Sequence, residues 1–251
     1  LEVIARNVND AKLTEEQRFA KLKDQEIRSG YLMLGISDLD GKLTTSNKEV
    51  VDIKDEDFFQ KALAGEKVIT DPTEDIFGRS TTNLIIIYAI PIKVGSNVQG
   101  VLVATTYGNE FSTLVSNIKF GETGYAFMIN KNGDIIAHIN LSLALSKTNY
   151  IMEAEHDESF QELADTLILM KEGNTGTGRY HYLGVDKYCG FAPVKLTGWS
   201  IAVTSASSEV LSGLNQLLKN SVIFALIFML IGIFTIYLIT NNITRSLGAM
   251  V

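Results

Sequence analysis

The stretch "YAFMINKNGDIIAH", residues 125–138, repeats a pattern that the chain has already shown in "YLMLGISDLDGKLTTS", residues 31–46. In each stretch an apolar run leads to polar residues and a glycine, Gly133 in one and Gly41 in the other, and an alternating run follows. Asp-Gly and Asn-Gly steps tolerate the positive φ angles of a tight turn between antiparallel strands. The sequence therefore predicts two β-hairpins of the same kind.

A second pair of phrases indicates that more than a hairpin is duplicated. The phrase "YAIPIKVGSNVQGVLVATT", residues 88–106, resembles "GFAPVKLTGWSIAVTS", residues 190–205, since each has an apolar step, a proline, a short turn and an alternating strand. The turn glycines Gly41 and Gly133 are 92 residues apart (133 − 41), about the length of a small domain. Ordered matches favour two tandem α+β domains over a chance similarity of short strands.

Composition limits the classes of function. The chain has 251 residues with 46% hydrophobic content, which permits one large core or two small ones, and the repeat favours two. A net charge of −7 gives no basic footprint, so we expect no nucleic-acid partner. The single cysteine, Cys189, has no internal disulfide partner and is interpreted as a small buried apolar residue. Trp199 is interpreted as a core residue of the second domain.

An apolar segment near the end predicts a membrane helix. The run "SVIFALIFMLIGIFTIYLIT", residues 221–240, contains no charged residue. At about 1.5 Å per residue such a helix is roughly 30 Å long, the thickness of the hydrocarbon core of a bilayer. Residues 206–220 have apolar positions at helical spacing, so we expect one continuous helix from the second domain into the membrane.

The first thirty residues predict a long stalk helix. Apolar residues recur at rough helical spacing (Leu1, Ile4, Val8, Ala11, Leu22), and Ser29-Gly30 ends the pattern. The segment has no initiator methionine and no signal-peptide pattern. We therefore expect the sequence to be a piece of a longer protein, in which another membrane span precedes it.

These features together resemble the double Cache sensor region of bacterial transmembrane receptors, most closely that of methyl-accepting chemotaxis proteins. The phrases that carry the resemblance are "DFFQKALAG", "GETGYAFMINKNGDIIAH", "GWSIAVTS" and "ITRSL", in this order. The resemblance implies two tandem PAS-like antiparallel-sheet domains, a membrane-distal one at 31–110 and a membrane-proximal one at 111–205. It implies that residues 241–251 begin a cytoplasmic HAMP-like segment and that residues 1–220 lie outside the bacterial plasma membrane.

The resemblance also implies a function. It implies a homodimeric sensor without enzymatic activity, which binds a small molecule in the membrane-distal domain and shifts the helix at 205–245. In a chemoreceptor the further partners would be a cytoplasmic kinase and coupling proteins. A histidine kinase or a cyclic-dinucleotide enzyme with the same sensor stays open as an alternative, and so does a tethered structural or adhesion protein.

Site residues follow only from this resemblance, and two of them depart from it. Amino-acid-binding members have an arginine two positions before an aromatic residue and an aspartate on the last strand. This chain has Glu56 in the arginine position, with Phe58 as the aromatic residue, and Thr105 in the aspartate position. A ligand carboxylate would meet Glu56 instead of a bidentate guanidinium. The sequence therefore predicts that ordinary α-amino acids are not the main ligands.

Three further pocket candidates are weaker. Asp75 in "DPTEDIFG" partly matches an acidic pocket residue, with a solvated loop acid as the alternative. Tyr88 and Phe59 are candidates to line the pocket, with plain core residues as the alternative.

The remaining motifs favour no catalysis, cofactor or metal. The phrase "GNTGTG", residues 173–178, lacks the Gly-Lys-Ser/Thr step of a phosphate-binding loop and predicts a turn. His138, His156 and His181 have no paired spacing that would place two metal ligands on one helix or strand face.

Overall fold

The computed structural model describes residues 1–8, 13–80 and 84–248, and it describes the side chains of all of these except 213–216 and 238–248. Two antiparallel sheets confirm the predicted α+β class. The first has the order β3-β2-β1-β7-β6-β4, with β5 also on β6, and its strands are β1 Met33–Ser37, β2 Lys42–Thr45, β3 Val50–Asp52, β4 Val68–Ile69, β5 Thr73–Glu74, β6 Leu84–Val94 and β7 Asn97–Tyr107. The second has the order β10-β9-β13-β12-β11, with β8 on β9, and its strands are β8 Lys119–Phe120, β9 Gly124–Ile129, β10 Ile135–His138, β11 Gly176–Tyr182, β12 Val185–Val194 and β13 Trp199–Ala206.

The helices before the last three strands cover these sheets, and the final helix leaves them. In chain order the described helices are α1 Glu2–Val8, α2 Glu15–Ser29, α3 Asp57–Leu63, α4 Glu110–Ser116, α5 Leu141–Leu145, α6 Tyr150–Glu153, α7 Gln161–Lys171, α8 Ser207–Val210 and α9 Ser212–Gly248, with a 3₁₀ turn at Glu158–Phe160. We call β1–β7 with α1–α3 the first module, and β8–β13 with α4–α8 the second module.

The two modules have the same strand arrangement, which confirms the duplication. The run β2-β1-β7-β6 in the first sheet corresponds to β10-β9-β13-β12 in the second. The hairpins β1–β2 and β9–β10 turn at Gly41 (φ +87°) and Gly133 (φ +93°), both in the region that favours glycine.

Both faces of the first sheet are covered, because strand residues alternate between them. Ile85, Ile87, Val101 and Val103 pack on one face with Phe58 and Phe59 of α3. The opposite face is covered by α1 and α2, and its core contains Ile4, Val8, Phe19, Leu22, Leu34, Ile90, Leu102 and Ala104. The alternation of a single strand therefore decides whether its side chains face α3 or the N-terminal helices.

The stalk helix differs from its prediction, because it is not one continuous helix. Thr14 has an extended backbone (φ −68°, ψ 159°) and forms a capping box with Gln17, so α2 starts anew at Glu15. Ile4, Val8 and Leu22 of the apolar stripe are buried against the sheet of their own chain, whereas Ala11 lies outside the described residues. The stripe is therefore buried within its own chain, and it gives no support to the homodimer that the resemblance implies.

The C-terminal helix also differs in its limits. A turn at Leu211 separates α8 from α9, so the continuous helix begins at Ser212 and not within the second module. The stretch of α9 that is long and apolar enough to cross a membrane includes Leu217–Tyr237, 21 residues, so it begins four residues before the predicted 221–240, and the side chains of 238–240 lie outside the described ones. Of the segment predicted to begin a HAMP domain, 241–248 continue α9 as helix and 249–251 lie outside the described residues.

Candidate ligand-binding site

A cleft of about 550 Å³ lies between the two modules. The first module contributes the start of α3 and the segment from Glu66 to Thr73, and the second module contributes three turns. Its lining has both apolar and charged side chains: Glu56, Asp57, Phe58, Lys61, Glu66, Lys67, Val68, Ile69, Thr70, Asp71, Pro72, Thr73, Ile76, Ile87, Lys131, Lys147, Leu196 and Thr197. Polar and charged side chains outnumber the apolar ones in this lining, so the cleft suits a polar ligand better than an apolar one.

The start of α3 forms one wall of the cleft. Glu56 occupies the N-cap position with an extended backbone (φ −76°, ψ 130°), and its carboxylate makes no capping hydrogen bond. The side chain is partly buried and lines the cleft beside Phe58, which is buried in the core of the first module. The position leaves a carboxylate available for a cationic group of a ligand.

The segment 68–73, which we call the docking segment, forms the second wall. Its strand β4 pairs with β6, and Thr70 continues the pairing: its amide donates to Ile87 O (2.9 Å), and its Oγ1 accepts from Ile87 N (3.0 Å). These bonds place Asp71 against the second module. The Asp71 carboxylate accepts hydrogen bonds from Trp199 Nε1 (2.6 Å) and Asn130 Nδ2 (2.8 Å).

The wall from the second module carries positive charge. Lys131 lies in the turn between β9 and β10, and Lys147 follows α5 with a positive φ of 50°, an uncommon angle for a residue with a side chain. Among the described residues neither lysine has a salt bridge, whereas Lys61 pairs with Asp57 (2.6 Å) and Lys67 with Glu2 (2.5 Å). The hydrogen bond to Asp57 and the charge of that residue raise the pKa of Lys61. The cleft thus presents acids on one side and two lysines on the other.

Two of the residues predicted from the resemblance line this cleft, and two lie directly behind it. Glu56 and Phe58 are part of the lining. Thr105 of β7 lies between Ile87 of β6 and Met33 of β1 in the sheet and is fully buried. Its Oγ1 has no hydrogen-bond partner among the described residues. Phe59 is fully buried in the core of the first module.

The structure does not bring Asp75 or Tyr88 to the same place. The Asp75 carboxylate accepts hydrogen bonds from the amides of Phe77 (2.9 Å), Arg79 and Ser80, so it shapes its own loop. Tyr88 projects from the opposite face of β6, toward Tyr31 of the N-terminal side (ring centroids 6.3 Å apart). Burial raises the pKa of Tyr88 to about 12.

Sequence reasoning missed Asp71, Lys131 and Lys147. The step from Asp71 to Pro72 does favour an extended backbone at Asp71, which is a local signal. Its partner Trp199 is 128 positions away in the chain, so no spacing rule connects them.

The second module has a small cavity of its own, between its sheet and its helices. Tyrosines and His138 surround a cavity of about 20 Å³, room for roughly one water molecule. Tyr150 and Tyr182 share a hydrogen bond (2.6 Å), and Tyr180 donates to Thr204 Oγ1 (2.9 Å). Burial lowers the pKa of His138 to about 4, so its ring is neutral at pH 7. The larger opening is the cleft between the modules.

Two single residues of the second module lie in its core, as predicted. Cys189 is a buried free cysteine, and burial raises the pKa of its thiol to about 11. Trp199 is 2% exposed and packs edge-on against Phe111 (ring centroids 5.0 Å apart). The protonated thiol is a poor nucleophile at neutral pH, in agreement with a structural role.

Comparison with known proteins places the chain in a family. A family model described as "Cache domain" (dCache_1) matches residues 1–214. The methyl-accepting chemotaxis protein McpA of Bacillus subtilis is 30% identical over 198 residues, which cover 78% of this chain and 27% of McpA. The chain therefore spans about a quarter of the length of this curated relative.

Solved structures share the fold at low sequence identity. The ligand-binding domain of the Pseudomonas aeruginosa amino acid chemoreceptor PctB, in complex with L-Arg, has a TM-score of 0.58 and 19% identity, covering 83% of this chain and 85% of that one. The sensory domain of the Campylobacter jejuni chemoreceptor Tlp3, with isoleucine bound, has a TM-score of 0.60 and 17% identity, covering 83% of each chain. With its duplicated sheets, the cleft between them and a family match over most of its length, this chain belongs to the Cache-domain family in its double form.

Proposed function

We propose that this chain is the sensory part of a methyl-accepting chemotaxis receptor and that it binds a small polar ligand in the cleft between its modules. The observation that carries the proposal is the cleft itself, since its walls come from both modules and its lining combines apolar side chains with a majority of polar ones that include charges of both signs. The relationship to McpA favours a chemotaxis output over a histidine kinase, a cyclic-dinucleotide enzyme or an adhesion protein.

The proposal extends to the surroundings of the chain. The first module would be membrane-distal, residues 1–220 would lie outside the bacterial plasma membrane, and residues 241–251 would begin a cytoplasmic HAMP segment. The receptor would work as a homodimer with a cytoplasmic kinase and coupling proteins. The coding sequence that follows Val251 tests the output, since a long coiled-coil hairpin supports chemotaxis and a catalytic domain contradicts it.

The charges of the cleft indicate the ligand class. PctB and Tlp3 have L-Arg and isoleucine bound, which makes amino-acid-like molecules the natural first probes. Glu56 on the α3 wall favours a cationic group, and an acidic group of the ligand would meet positive charge only from the lysines that line the cleft. We therefore propose a ligand with an amine or other cation for Glu56, and not an α-amino acid whose carboxylate enters the α3 side.

Calorimetric titration of the whole chain in detergent or nanodiscs tests this ligand class. The probes are the twenty L-amino acids, their decarboxylated amines and ω-amino acids. We expect micromolar binding of amines or ω-amino acids, and about tenfold weaker binding after Glu56→Gln, equivalent to about 1.4 kcal/mol. Glu74→Gln is the control, because Glu74 is exposed on β5 of the same module and lies outside the cleft lining.

Micromolar binding of several α-amino acids would overturn the ligand class and leave the cleft as the site. Equal losses in Glu56→Gln and Glu74→Gln would show that Glu56 does not contact the ligand. A panel without any binder would contradict the proposed site.

A further inference from the structure

The docking segment lines the cleft and also contacts the core of the second module. On one side its residues 68–73 line the cleft. On the other side Ile69 packs into a core of the second module that includes Val115, Met128 and Trp199. A displacement of this segment by a ligand is therefore a displacement of a wall of the second module's core.

Asp71 fixes the contact between the modules. Its two carboxylate oxygens accept one hydrogen bond each from the second module, Oδ1 from Trp199 Nε1 and Oδ2 from Asn130 Nδ2. Asn130 in turn holds the β9–β10 turn, because its Oδ1 accepts from the amides of Asn132 and Asp134 (2.9 Å each). Hydrogen bonds to a charged acceptor are stronger than those between neutral groups, and here they replace the hydration of a partly buried carboxylate.

Trp199 connects this contact to the membrane end of the molecule. It is the first residue of β13, which is paired along both edges, with β9 and with β12. β13 ends at Ala206, directly before α8, and Glu209 of α8 is hydrogen-bonded to residues beside this end of the strand. The Glu209 carboxylate accepts hydrogen bonds from Ser205 Oγ (3.0 Å) and Thr123 N (3.0 Å) and from the Thr123 hydroxyl. A strand paired on both edges moves as a rigid element, so a shift at Trp199 reaches α8.

We propose that Asp71 is the coupling residue of the sensor, which passes a ligand-dependent shift of the docking segment through Trp199 and β13 to α8 and the membrane helix. Asp71 positions the two modules and is not itself required to contact the ligand. The inference rests on the proposed ligand site. It requires that the cleft has different ligand affinities in two arrangements of the modules, as any allosteric coupling does.

A tethered probe tests the coupling without the natural ligand. Ile76 lines the cleft, is 45% exposed and lies outside the docking segment. Ile76→Cys would supply a reactive thiol, since Cys189 is buried with a raised thiol pKa. Labelling with aminoethyl methanethiosulfonate places an ammonium group in the cleft, and methyl methanethiosulfonate is the uncharged control.

Hydrogen–deuterium exchange of the full chain then measures whether the label changes the exchange of the amides at 199–210. We expect the ammonium label to change amide exchange in β13 and α8 about fivefold or more, the lower end of typical coupling factors. Asp71→Ala and Trp199→Phe should abolish that response. Trp199→Phe removes the indole N–H and keeps a ring against Phe111, so it also serves if Asp71→Ala is too unstable to study.

The control variant is Asp24→Ala, because Asp24 is an exposed carboxylate on α2 whose partner is Arg28. It should leave the label response unchanged. An identical response in Trp199→Phe and in the parent chain, or exchange changes confined to 68–73, would overturn the coupling role. Neither result would affect the ligand titrations, so failure of the coupling and failure of the proposed site are distinguishable.

Discussion

Two threonines occupy equivalent strands of the two sheets and differ in their hydrogen bonds. Thr105 in β7 is 0% exposed, and its hydroxyl has no partner among the described residues. Thr204 in β13 is 1% exposed, accepts from Tyr180 Oη (2.9 Å) and donates to Tyr188 O (3.2 Å). An unpaired buried hydroxyl reduces stability, whereas a paired one does not.

Replacement of each threonine by valine should therefore have opposite effects. We expect Thr105→Val to raise the free energy of unfolding by about 1 kcal/mol, and Thr204→Val to lower it by about 1–2 kcal/mol. Chemical denaturation of the two variants measures both values. Destabilisation by Thr105→Val would show that the hydroxyl has a partner in solution, and weaker ligand binding by the same variant would identify that partner as the ligand.

For single residues, the sequence predicts a place in the cleft correctly where that place depends on neighbouring residues of the same helix. Glu56 and Phe58 reach the cleft because both lie at the start of one helix. Tyr88 does not, because a strand residue faces one side or the other according to its register, which a motif match does not determine. Asp71 could not be found, because the residues that it contacts, Trp199 and Asn130, belong to the other module.

Among the elements, α8 has a carboxylate, that of Glu209, which is hydrogen-bonded to the start of the second module. Hydrogen bonds from the Thr123 hydroxyl and from the amides of Glu122 and Thr123 lower the pKa of Glu209 to about 2. A carboxyl group with a lowered pKa in the folded state stabilises the fold above its ordinary pKa, and this contribution is lost as the pH falls toward the folded value.

We therefore expect α8 to loosen as the pH falls from about 4.5 to about 2. The measurement is the protection factor of amides 207–210 from hydrogen exchange at each pH. Glu209→Gln should show low protection throughout and no pH dependence in this window. An unchanged pH profile in that variant would show that another group controls α8.

Helix α9 is the element that would carry the signal into the membrane. It is continuous from Ser212 to Gly248, so Leu217-Leu218→Gly-Gly should weaken it, at about 1 kcal/mol for each glycine relative to alanine. We expect ligand affinity to stay the same and the ligand-dependent output of the full-length receptor to be lost. Leu217-Leu218→Ala-Ala is the matched control, since it removes the same side chains and keeps helix propensity. An equal response in both variants would contradict transmission through a stiff helix.

The elements themselves were largely predictable, because their signals are local. Turn glycines and alternating runs predicted both hairpins, and the apolar run predicted the helix that is long and apolar enough to cross a membrane. The break before α2 also has a local signal, the Thr14–Gln17 capping box, which the apolar stripe obscured. The stripe itself reflects packing on the first sheet, and sequence periodicity does not distinguish a sheet from a partner helix as the surface it covers.

For the whole molecule, the candidate membrane-spanning helix does not pack against the modules. None of the span at Leu217–Tyr237 is buried against the rest of the chain. Removal of residues 217–251 should therefore shift the midpoint of thermal unfolding of the modules by no more than about 2–4 °C, the equivalent of about 1 kcal/mol at this size. Calorimetry of the truncated chain measures it, and a much lower midpoint would show that α9 stabilises the modules.

The docking segment has a consequence for how such sensors can be recombined. Two modules with the same strand order invite the exchange of one module between receptors, with a junction in α4. The first module, however, supplies Ile69 to a core of the second and hydrogen-bonds Trp199 through Asp71, and Phe111 of α4 packs against Trp199. In a chimaera joined in α4, Trp199 would contact a first module from another protein. A chimaera joined at 207–211 keeps both the docking segment and Trp199 from the same protein. The pair of modules is therefore the unit to transplant when a new ligand specificity is to be built into another receptor.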